Sequence, residues 1–309
     1  MARDDGPDPR ARQRTVSRAY RLGTRSSPLA RAQADLVVRR LRRTHRELSF
    51  EIVPMTTAGD RRAAAADFTG TIERALRARQ IDLAVHSTKD LPARDTPGLV
   101  IAAYPRRADP GECVVARRWP LPSGARVGSS SVRRRAQLRR WRPDLRIWEI
   151  HGNVGTRLER VRSKTVDAVV LARAGLERLH ETARVTARLP LAHFLPSPGQ
   201  GALAVQTRRE ERSLRRALRA IDDRTTRAAV ESERAVAEML GANCNVPLGS
   251  LGEVRGGRLS LRAEVLSADG RRTIAAEAIG NPRSPRSVAR RVVADLNRGG
   301  AQTLLAPYR

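Results

Sequence analysis

A run of polar side chains follows a short apolar stretch in the segment IDLAVHSTKDLP, at residues 81–92. The apolar residues that begin at Ile81 predict a buried strand, and Pro92 ends the segment because the residue before a proline avoids helical geometry. The side chains that can exchange protons or hydrogen bonds are His86, Ser87, Thr88, Lys89 and Asp90. Because an open α/β sheet binds its ligand where strands end and loops begin, we predict a ligand site here.

The lysine in this segment is unusual for the chain. Of 60 Lys and Arg residues, only Lys89 and Lys164 are lysines. An ammonium is a compact point charge, whereas a guanidinium is a planar fork, so the choice of lysine favours a specific role. The alternative is that Lys89 and Asp90 form a solvated surface pair of little energetic value. Composition alone does not decide between the two interpretations.

The chain has 309 residues, enough for two or three domains, and a formal net charge of +28. Such a surface attracts polyanions, either nucleic acid or a substrate with several carboxylates. Aromatic residues make up only 3% of the chain, which argues against stacking platforms for single-stranded nucleic acid. Zinc-finger spacings and RNP-type aromatic motifs do not occur in the sequence.

Two cysteines, Cys113 and Cys244, lie far apart in the sequence. They form no disulfide framework, and they fit a reducing compartment. Cys113, within the strand-like ECVVA, is expected to be a small buried apolar residue. No apolar run approaches the length of a membrane span, and residues 1–19 are predicted to be a disordered basic arm.

The chain then begins a strand, turn and helix pattern at Tyr20. Ser27 is predicted to cap the helix, with Pro28 at its first position. The free N–H groups of this helix start would favour an anion near residues 24–27. A strand over 48–55, a turn over 56–60, a low-complexity stretch over 61–66 and a helix over 71–79 are expected before the opening segment.

The same order recurs in the next hundred residues. We predict a strand end at 126–128, a serine turn, a helix over 132–141, a strand over 145–150, a helix capped by Thr156 and a strand over 164–171. Two similar α/β domains facing each other across a cleft are the simplest interpretation. Helix N-termini and several arginines would line that cleft: Arg25, Arg133, Arg134, Arg157 and Arg178.

The last third of the chain reads as a separate unit. Residues 190–201, rich in Pro and Gly, predict a crossing or hinge, in which Gln200 either approaches a ligand or belongs to a plain turn. A helix over 226–240 should end at Gly241, with Cys244 in the loop after it. Strands over 259–265 and 271–279 and a helix over 285–297, capped by Ser284, complete a small α+β domain.

Six motifs occur in one order: RLGTRSSPLA, VHSTKDLP, VGSSSVRRRAQL, HGNVGTRL, PGQGAL and CNVPLGS. On these motifs the chain resembles the porphobilinogen deaminase (hydroxymethylbilane synthase) family from Arg21 to its end. The resemblance implies an α/β fold with two type II periplasmic-binding-protein-like domains plus a small C-terminal α+β domain. The expected boundaries are 1–19 for the arm, 20–105 plus 201–224 and 106–200 for the α/β domains, and 225–309 for the last domain.

The resemblance also implies the reaction. Four porphobilinogen units would condense head to tail to hydroxymethylbilane with release of ammonia, a step of tetrapyrrole biosynthesis. The growing chain would be primed by a dipyrromethane cofactor, joined through a thioether to Cys244. A cytoplasmic monomer is expected, with no metal, no membrane association and no specific nucleic-acid partner.

The roles of individual residues follow from the same resemblance. Asp90 matches the catalytic aspartate. The cofactor-binding positions are Cys244, Lys89, Ser129, Ser131, Arg133, Arg134 and Asn153. The substrate-binding positions are Arg25, Ser27, His151, Arg157 and Arg178. The chemistry agrees, because porphobilinogen carries two carboxylates that suit arginine forks. Its loss of ammonia leaves a cationic azafulvene, which a carboxylate can stabilise.

Three departures from the family pattern are visible. His151 stands where the family has arginine, and an imidazole cannot form a guanidinium fork. Only seven residues, RRAAAAD, separate Asp60 from Phe68, so the active-site lid is short. Ala242 and Asn243 replace two glycines before the cofactor cysteine. These departures motivate an alternative, a diverged paralogue that binds pyrrole carboxylates or another polyanion without turnover. The charge of +28 motivates a third hypothesis, a nucleic-acid-binding protein.

Overall fold

The computed structural model describes residues 19–57, 69–242 and 245–308, and its first sheet contains five strands. These are β1 Tyr20–Arg25, β2 Phe50–Met55, β3 Leu83–Ser87, β4 Leu99–Ala103 and β10 Leu203–Arg208. Their order is β2-β1-β3-β10-β4. Strands β2, β1 and β3 are parallel, whereas β10 runs antiparallel between β3 and β4.

The second sheet repeats this topology. Its strands are β5 Glu112–Ala116, β6 Arg126–Gly128, β7 Arg146–Trp148, β8 Ala168–Ala172 and β9 Ala187–Arg188. The order is β7-β6-β8-β5-β9, with three parallel strands and β5 antiparallel in the fourth place. The repeat predicted from the sequence is therefore present in the fold.

Helices connect the strands of both sheets. They are α1 Pro28–Thr44, α2 Gly70–Arg77, α3 Val132–Trp141, α4 Val154–Arg162, α5 Arg173–Arg178 and α6 Arg212–Leu218. The start of α1 is as predicted, since Ala30 N donates to Ser27 Oγ at 3.3 Å and Pro28 takes the first position. One face of α1 buries Ala34, Val37 and Leu41 against the sheet, which orients its N-terminus beyond the end of β1.

Two local predictions in the second unit are wrong. Asn153, not Thr156, caps α4, because Thr156 lies inside the helix and its N–H donates to Asn153 Oδ1 at 2.9 Å. The strand expected from residue 164 begins only at Ala168. Lys164 has a φ of 62°, so the chain is still turning there, and Val166 N donates back to Arg160 O.

The C-terminal unit contains α7 Arg224–Leu240, β11 Leu248–Arg255, β12 Arg258–Leu266, β13 Thr273–Gly280, α8 Pro285–Arg298 and α9 Ala301–Leu305. The strands form an antiparallel sheet, and Leu259, Leu261 and Val265 pack against the helices. Together with the two five-stranded sheets, this antiparallel sheet and its helices confirm the predicted fold class. Gly241 ends α7 at a φ of 66°, as predicted.

Two details of this unit differ from the predictions. Strand β11 is not predicted, because the glycines of LGSLGEVR interrupt the apolar alternation that marks a half-buried strand. Ser284 occupies the position before α8, but its side chain makes no capping hydrogen bond. Its backbone has a ψ of 56°, outside the extended region usual for a capping residue.

The chain crosses between the two α/β units in residues 104–111 and 189–202, and these crossings contact each other. Ala108 N donates to Gly201 O at 3.2 Å. Glu233 of α7 holds both crossings, since its fully buried carboxylate accepts from Arg107 Nη1 at 2.6 Å and from Gly199 N at 2.6 Å. It also accepts from Gly252 N of β11 at 2.8 Å. One carboxylate therefore joins the crossings to the C-terminal unit.

Several predictions concern residues outside the described ranges. These are the basic arm except Ala19, most of the turn over 56–60, the lid with Phe68, and the cofactor position Cys244 together with Asn243. Within 19–57, 69–242 and 245–308, none of the helices combines the length and apolarity that a membrane span requires.

Candidate active site

The acid of the predicted site lies beside an arginine from the neighbouring strand. Arg25 is the last residue of β1, and Asp90 lies in the 3₁₀ turn Thr88–Asp90 that follows β3. Because β1 and β3 are parallel neighbours, both side chains emerge at one edge of the sheet. Arg25 Nη1 is 3.7 Å from Asp90 Oδ2, and the two side chains are 24% and 27% exposed, so a ligand can reach both.

Lys89, from the same turn, faces the second unit. Burial and, after it, the positive charge of Arg134 lower the pKa of its ammonium to about 8. The carboxylates of Asp90 and Glu112 oppose that shift. Since Arg134 and Glu112 belong to the second unit, the strand ends of the two sheets converge around Lys89.

Helix N-termini from both units meet at the same place. Gly175 of α5 lies between Leu29 of α1 and Val154 of α4. A Cβ built on Gly175 would lie 3.7 Å from Leu29 Cδ2 and 3.9 Å from Val154 Cγ2. The start of α1, which Ser27 caps, is therefore close to the start of α4, which Asn153 caps. Free N–H groups at such helix starts attract carboxylates.

The serine turn after β6 begins α3. Ser129 Oγ accepts from Ser131 N at 3.2 Å, and Ser131 Oγ accepts from Arg134 N at 3.4 Å as the helix cap. Ser130 Oγ accepts from Arg157 Nη2 at 2.8 Å. The predicted hydroxyls of Ser129 and Ser131 thus hold the backbone of the turn, whereas Ser130, which was not predicted, holds Arg157.

A buried ion cluster lies beneath this turn. Glu112, the first residue of β5, is 1% exposed, and its two oxygens lie 2.6 Å from Arg133 Nη2 and 2.8 Å from Arg134 Nη2. Burial alone would raise the pKa of the Glu112 carboxyl, but the two guanidinium groups outweigh it and hold the pKa at about 2. Glu112 is absent from the residues predicted from the sequence; its signal is an acid at the head of the apolar run ECVVA.

Arg133 and Arg134 differ in their hydrogen-bond partners. Arg133 Nη1 donates to Gln137 Oε1 at 2.9 Å and to Leu195 O at 2.7 Å, so both of its terminal nitrogens are bonded within the protein. Arg134 Nη2 also lies 3.4 Å from Gln200 Oε1. Gln200 is buried and donates to Pro110 O at 2.7 Å, which places its amide in the wall of the site rather than in a plain turn.

Two further predicted arginines are partly desolvated. Arg157 donates from Nε to Gly152 O at 2.9 Å, and Arg178 donates from Nη2 to Gly201 O at 2.6 Å. Burial lowers the pKa of each guanidinium to about 10. A bound carboxylate would restore the solvation that these cations have lost, so both are suited to anionic ligands.

His151 occupies a more exposed position. Its side chain is 50% exposed, and its Nε2 lies 3.3 Å from Glu149 Oε1. Glu149 also pairs with Arg135. The histidine therefore lies at the rim of the turn that leads to α4. There Glu149 would compete with a ligand carboxylate for the imidazole.

Cys113 is fully buried, as predicted. Its Sγ donates to Leu171 O at 3.3 Å, and burial raises the pKa of the thiol to about 12. In the part of the chain that the structure describes, no three His, Cys, Asp or Glu side chains are grouped so as to hold a metal ion.

Comparison with protein-family models gives two matches. Residues 20–216 match the "Porphobilinogen deaminase, dipyromethane cofactor binding domain", and residues 227–297 match the "Porphobilinogen deaminase, C-terminal domain". The chain belongs to the porphobilinogen deaminase family. The porphobilinogen deaminase of Desulforudis audaxviator is 44% identical over 300 residues, covering 93% of this chain and 97% of that protein. The enzyme of Xanthomonas campestris pv. campestris is 42% identical over 298 residues, with coverages of 93% and 98%.

Two similar solved structures are more distant from this porphobilinogen deaminase family member than the relatives above. The periplasmic VFT2 domain of Bordetella pertussis BvgS is 17% identical, with a TM-score of 0.40, covering 70% of this chain and 90% of that domain. The aliphatic sulphonate binding protein SsuA of Escherichia coli is 17% identical, with a TM-score of 0.39 and coverages of 72% and 70%.

Proposed function

We propose that the protein is a porphobilinogen deaminase, which condenses four porphobilinogen units head to tail to hydroxymethylbilane and releases ammonia. Its place would be in tetrapyrrole biosynthesis. The observation that carries the proposal is the position of Asp90, a carboxylate 3.7 Å from Arg25 and next to Lys89, at the convergence of both sheets. Both family matches together cover most of the chain and include this convergence.

The donors of the site fit a dipyrromethane cofactor. Each of its pyrrole rings carries carboxylates, and the groups that the structure describes around the site are mainly cations and hydroxyls, with Asp90, Glu112 and Glu149 as acids among them. The residues proposed to hold the cofactor are Lys89, Ser129, Ser131, Arg133, Arg134 and Asn153, with a thioether to Cys244. When bound, the dipyrromethane supplies the nucleophilic pyrrole end from which the product is built.

Substrate carboxylates would be bound at the rim and mouth of the same site. The proposed contacts are Arg25, Ser27, His151, Arg157 and Arg178. A carboxylate on Arg25 would compete with Asp90 for that guanidinium, which frees the Asp90 carboxylate to face the reacting carbon. Binding and activation would then occur together.

Asp90 would act on the aminomethyl carbon of porphobilinogen. Cleavage of the carbon–nitrogen bond releases ammonia and leaves a cationic azafulvene, which a nearby carboxylate stabilises electrostatically. The free α carbon of another pyrrole unit then bonds to that carbon and loses its proton. Asp90 would move this proton, as a positioned carboxylate can serve as general acid and base.

We also propose the domain boundaries expected from the sequence. The strands of the first sheet fall within 20–103 and 203–208, those of the second within 112–188, and those of the C-terminal sheet within 248–280. A monomer in the cytoplasm remains a prediction from the sequence. Light scattering after size exclusion tests the monomer directly.

Intact mass and a product assay test the function. Purified protein should exceed its sequence mass by a thioether-linked dipyrromethane, turn magenta with Ehrlich's reagent and release ammonia from porphobilinogen. Cys244→Ser should lose the added mass, whereas Cys113→Ser, at the buried cysteine, should keep it. Active protein with an unmodified Cys244 would refute the cofactor assignment. Saturable porphobilinogen binding without ammonia release would indicate the non-catalytic paralogue instead.

A further inference from the structure

We propose that Glu112 is a positioning residue of the reaction: its buried carboxylate fixes the guanidinium of Arg134 on the Lys89 side of the site. The catalytic role of Glu112 rests on the function proposed above, whereas the geometry around its carboxylate does not. Both oxygens of Glu112 are paired, one with Arg133 at 2.6 Å and one with Arg134 at 2.8 Å. The carboxylate is therefore the counter-ion of two arginines at once.

The structure links this cluster to Lys89 through residues 199 and 200. A Cβ built on Gly199 would lie 3.3 Å from Lys89 N, so the backbone at 199 is in contact with the 3₁₀ turn. Gln200, the next residue, accepts from Arg134 Nη2 at 3.4 Å. Arg134 also donates from Nη1 to Val170 O at 3.1 Å. With Glu112 on the remaining side, three partners restrict the orientation of the Arg134 guanidinium.

The cluster also continues to the C-terminal unit. Arg133 donates to Gln137 Oε1, and Gln137 Nε2 donates to Glu264 Oε1 of β12 at 2.8 Å. Glu264 Oε2 accepts from Arg140 Nη1 at 2.9 Å. Glu112 is thus the centre of a polar network that runs from the Lys89 side of the site to the unit that carries Cys244 in the sequence. Removing its charge would leave two buried guanidinium groups without a counter-ion, which is unfavourable.

The pKa of Lys89 depends on the charges of this cluster. The charged groups that act on it are Arg134, Asp90, Glu112 and Arg133. The two arginines, with burial, lower the pKa of the ammonium, and the two carboxylates raise it. Loss of the Glu112 charge should therefore lower the pKa of Lys89, and loss of the Arg134 charge should raise it.

The chain allows a direct measurement, because Lys89 and Lys164 are its only lysines. Protein labelled with ¹³C at the lysine ε carbon should give two titrating NMR signals, and Lys89→Arg assigns them. In the cofactor-loaded protein, Glu112→Gln should lower the apparent pKa of Lys89 by up to about one unit. Glu112→Asp, which keeps the charge, should restore most of the difference. The NMR signal of Lys164, which is exposed, should be unaffected by either substitution.

A matched control separates this effect from general destabilisation. Asp167 also pairs with two arginines of the second unit, Arg117 at 2.6 Å and Arg126 at 3.2 Å, but at the opposite ends of the strands. Asp167→Asn should lower the melting temperature and leave the Lys89 titration unchanged. If Glu112→Gln does not fold, Arg134→Gln supplies the complementary test, with a rise in the pKa of Lys89.

The outcomes are distinct. A Lys89 titration that is unchanged in folded Glu112→Gln, or that fails to rise in Arg134→Gln, would overturn the role of Glu112. In an active protein, the alkaline limb of the pH profile should move to lower pH in Glu112→Gln, by the same amount as the Lys89 titration. Wild-type protein that releases no ammonia would reject the proposed function, and the lysine titration would still decide the inference about Glu112.

Discussion

Arg25 ends strand β1, Asp90 lies in the turn that follows the parallel neighbour β3, and their side chains approach to 3.7 Å between Nη1 and Oδ2. The contact is longer than a hydrogen bond and about a quarter exposed on each side, so it is easily exchanged for a contact with a ligand. This geometry suits a carboxylate that must be held in place before substrate binds and then face a developing cation.

Replacing Asp90 by asparagine should abolish most turnover without unfolding the protein. The variant removes the only charge proposed to stabilise the azafulvene, a contribution of roughly 10²–10⁴-fold in rate for a positioned acid or base. Ammonia release and far-UV circular dichroism measure the two effects. Asp95→Asn is the control, because Asp95 is 56% exposed and pairs with Arg234 outside the site. Near-normal turnover in Asp90→Asn would remove Asp90 from its proposed role.

Acid should destabilise the protein through His86. Burial lowers the pKa of this imidazole from 6.5 to about 4, and its Nε2 lies 3.1 Å from Gln206 Oε1. The unfolded chain binds a proton near pH 6.5 while the folded chain does not. The stabilising contribution is therefore complete above pH 6.5 and is lost as the pH falls to 4, by on the order of 3 kcal/mol.

Urea unfolding at pH 7 and pH 4 checks this contribution. His86→Gln cannot take up the proton, so its free energy of unfolding should fall less between the two pH values than that of the wild type. His193→Gln, at an exposed histidine, should behave as the wild type does. Equal losses in wild type and His86→Gln would contradict the assignment.

Restoring arginine at position 151 should strengthen substrate binding. A guanidinium at this half-exposed rim can form a fork with a carboxylate, which the imidazole cannot. The KM for porphobilinogen in His151→Arg should fall by roughly three- to tenfold, the equivalent of about 1 kcal/mol. His193→Arg adds the same charge elsewhere and should leave KM unchanged. If neither KM nor cofactor loading responds in His151→Arg, another group supplies the missing charge.

Loss of the Glu233 charge should destabilise the assembly of the three units. Its carboxylate accepts from Arg107, Gly199 N and Gly252 N with no exposure to solvent. Glu233→Gln leaves Arg107 without its counter-ion and should lower the free energy of unfolding by roughly 3–5 kcal/mol. Glu231→Gln, two residues earlier and 39% exposed, should change it by less than about 1 kcal/mol. Equal free energies of unfolding for the two variants in chemical denaturation would show that the Glu233 charge is not required for stability.

Helix starts and ends were predictable where the residues that define them lie within one short segment. The cap of α1 by Ser27, the helix Val132–Trp141 and the stop at Gly241 all follow from residues within four positions of each other. The errors are also local in origin. Asn153 precedes Thr156 with an equally suitable side chain, and the glycines of β11 conceal a strand that its pairing with β12 and its contact with α7 stabilise.

The fold class, the family and the strand ends at which polar residues gather were predictable without a structure, because they depend on short motifs in a fixed order. Which buried polar and charged groups pair with one another depends on how the units pack in three dimensions. Arg107 and Glu233 are 126 positions apart, and Gln137 and Glu264 are 127 apart. Such pairs form because the three sheets and their helices pack against each other, and no local spacing encodes that packing.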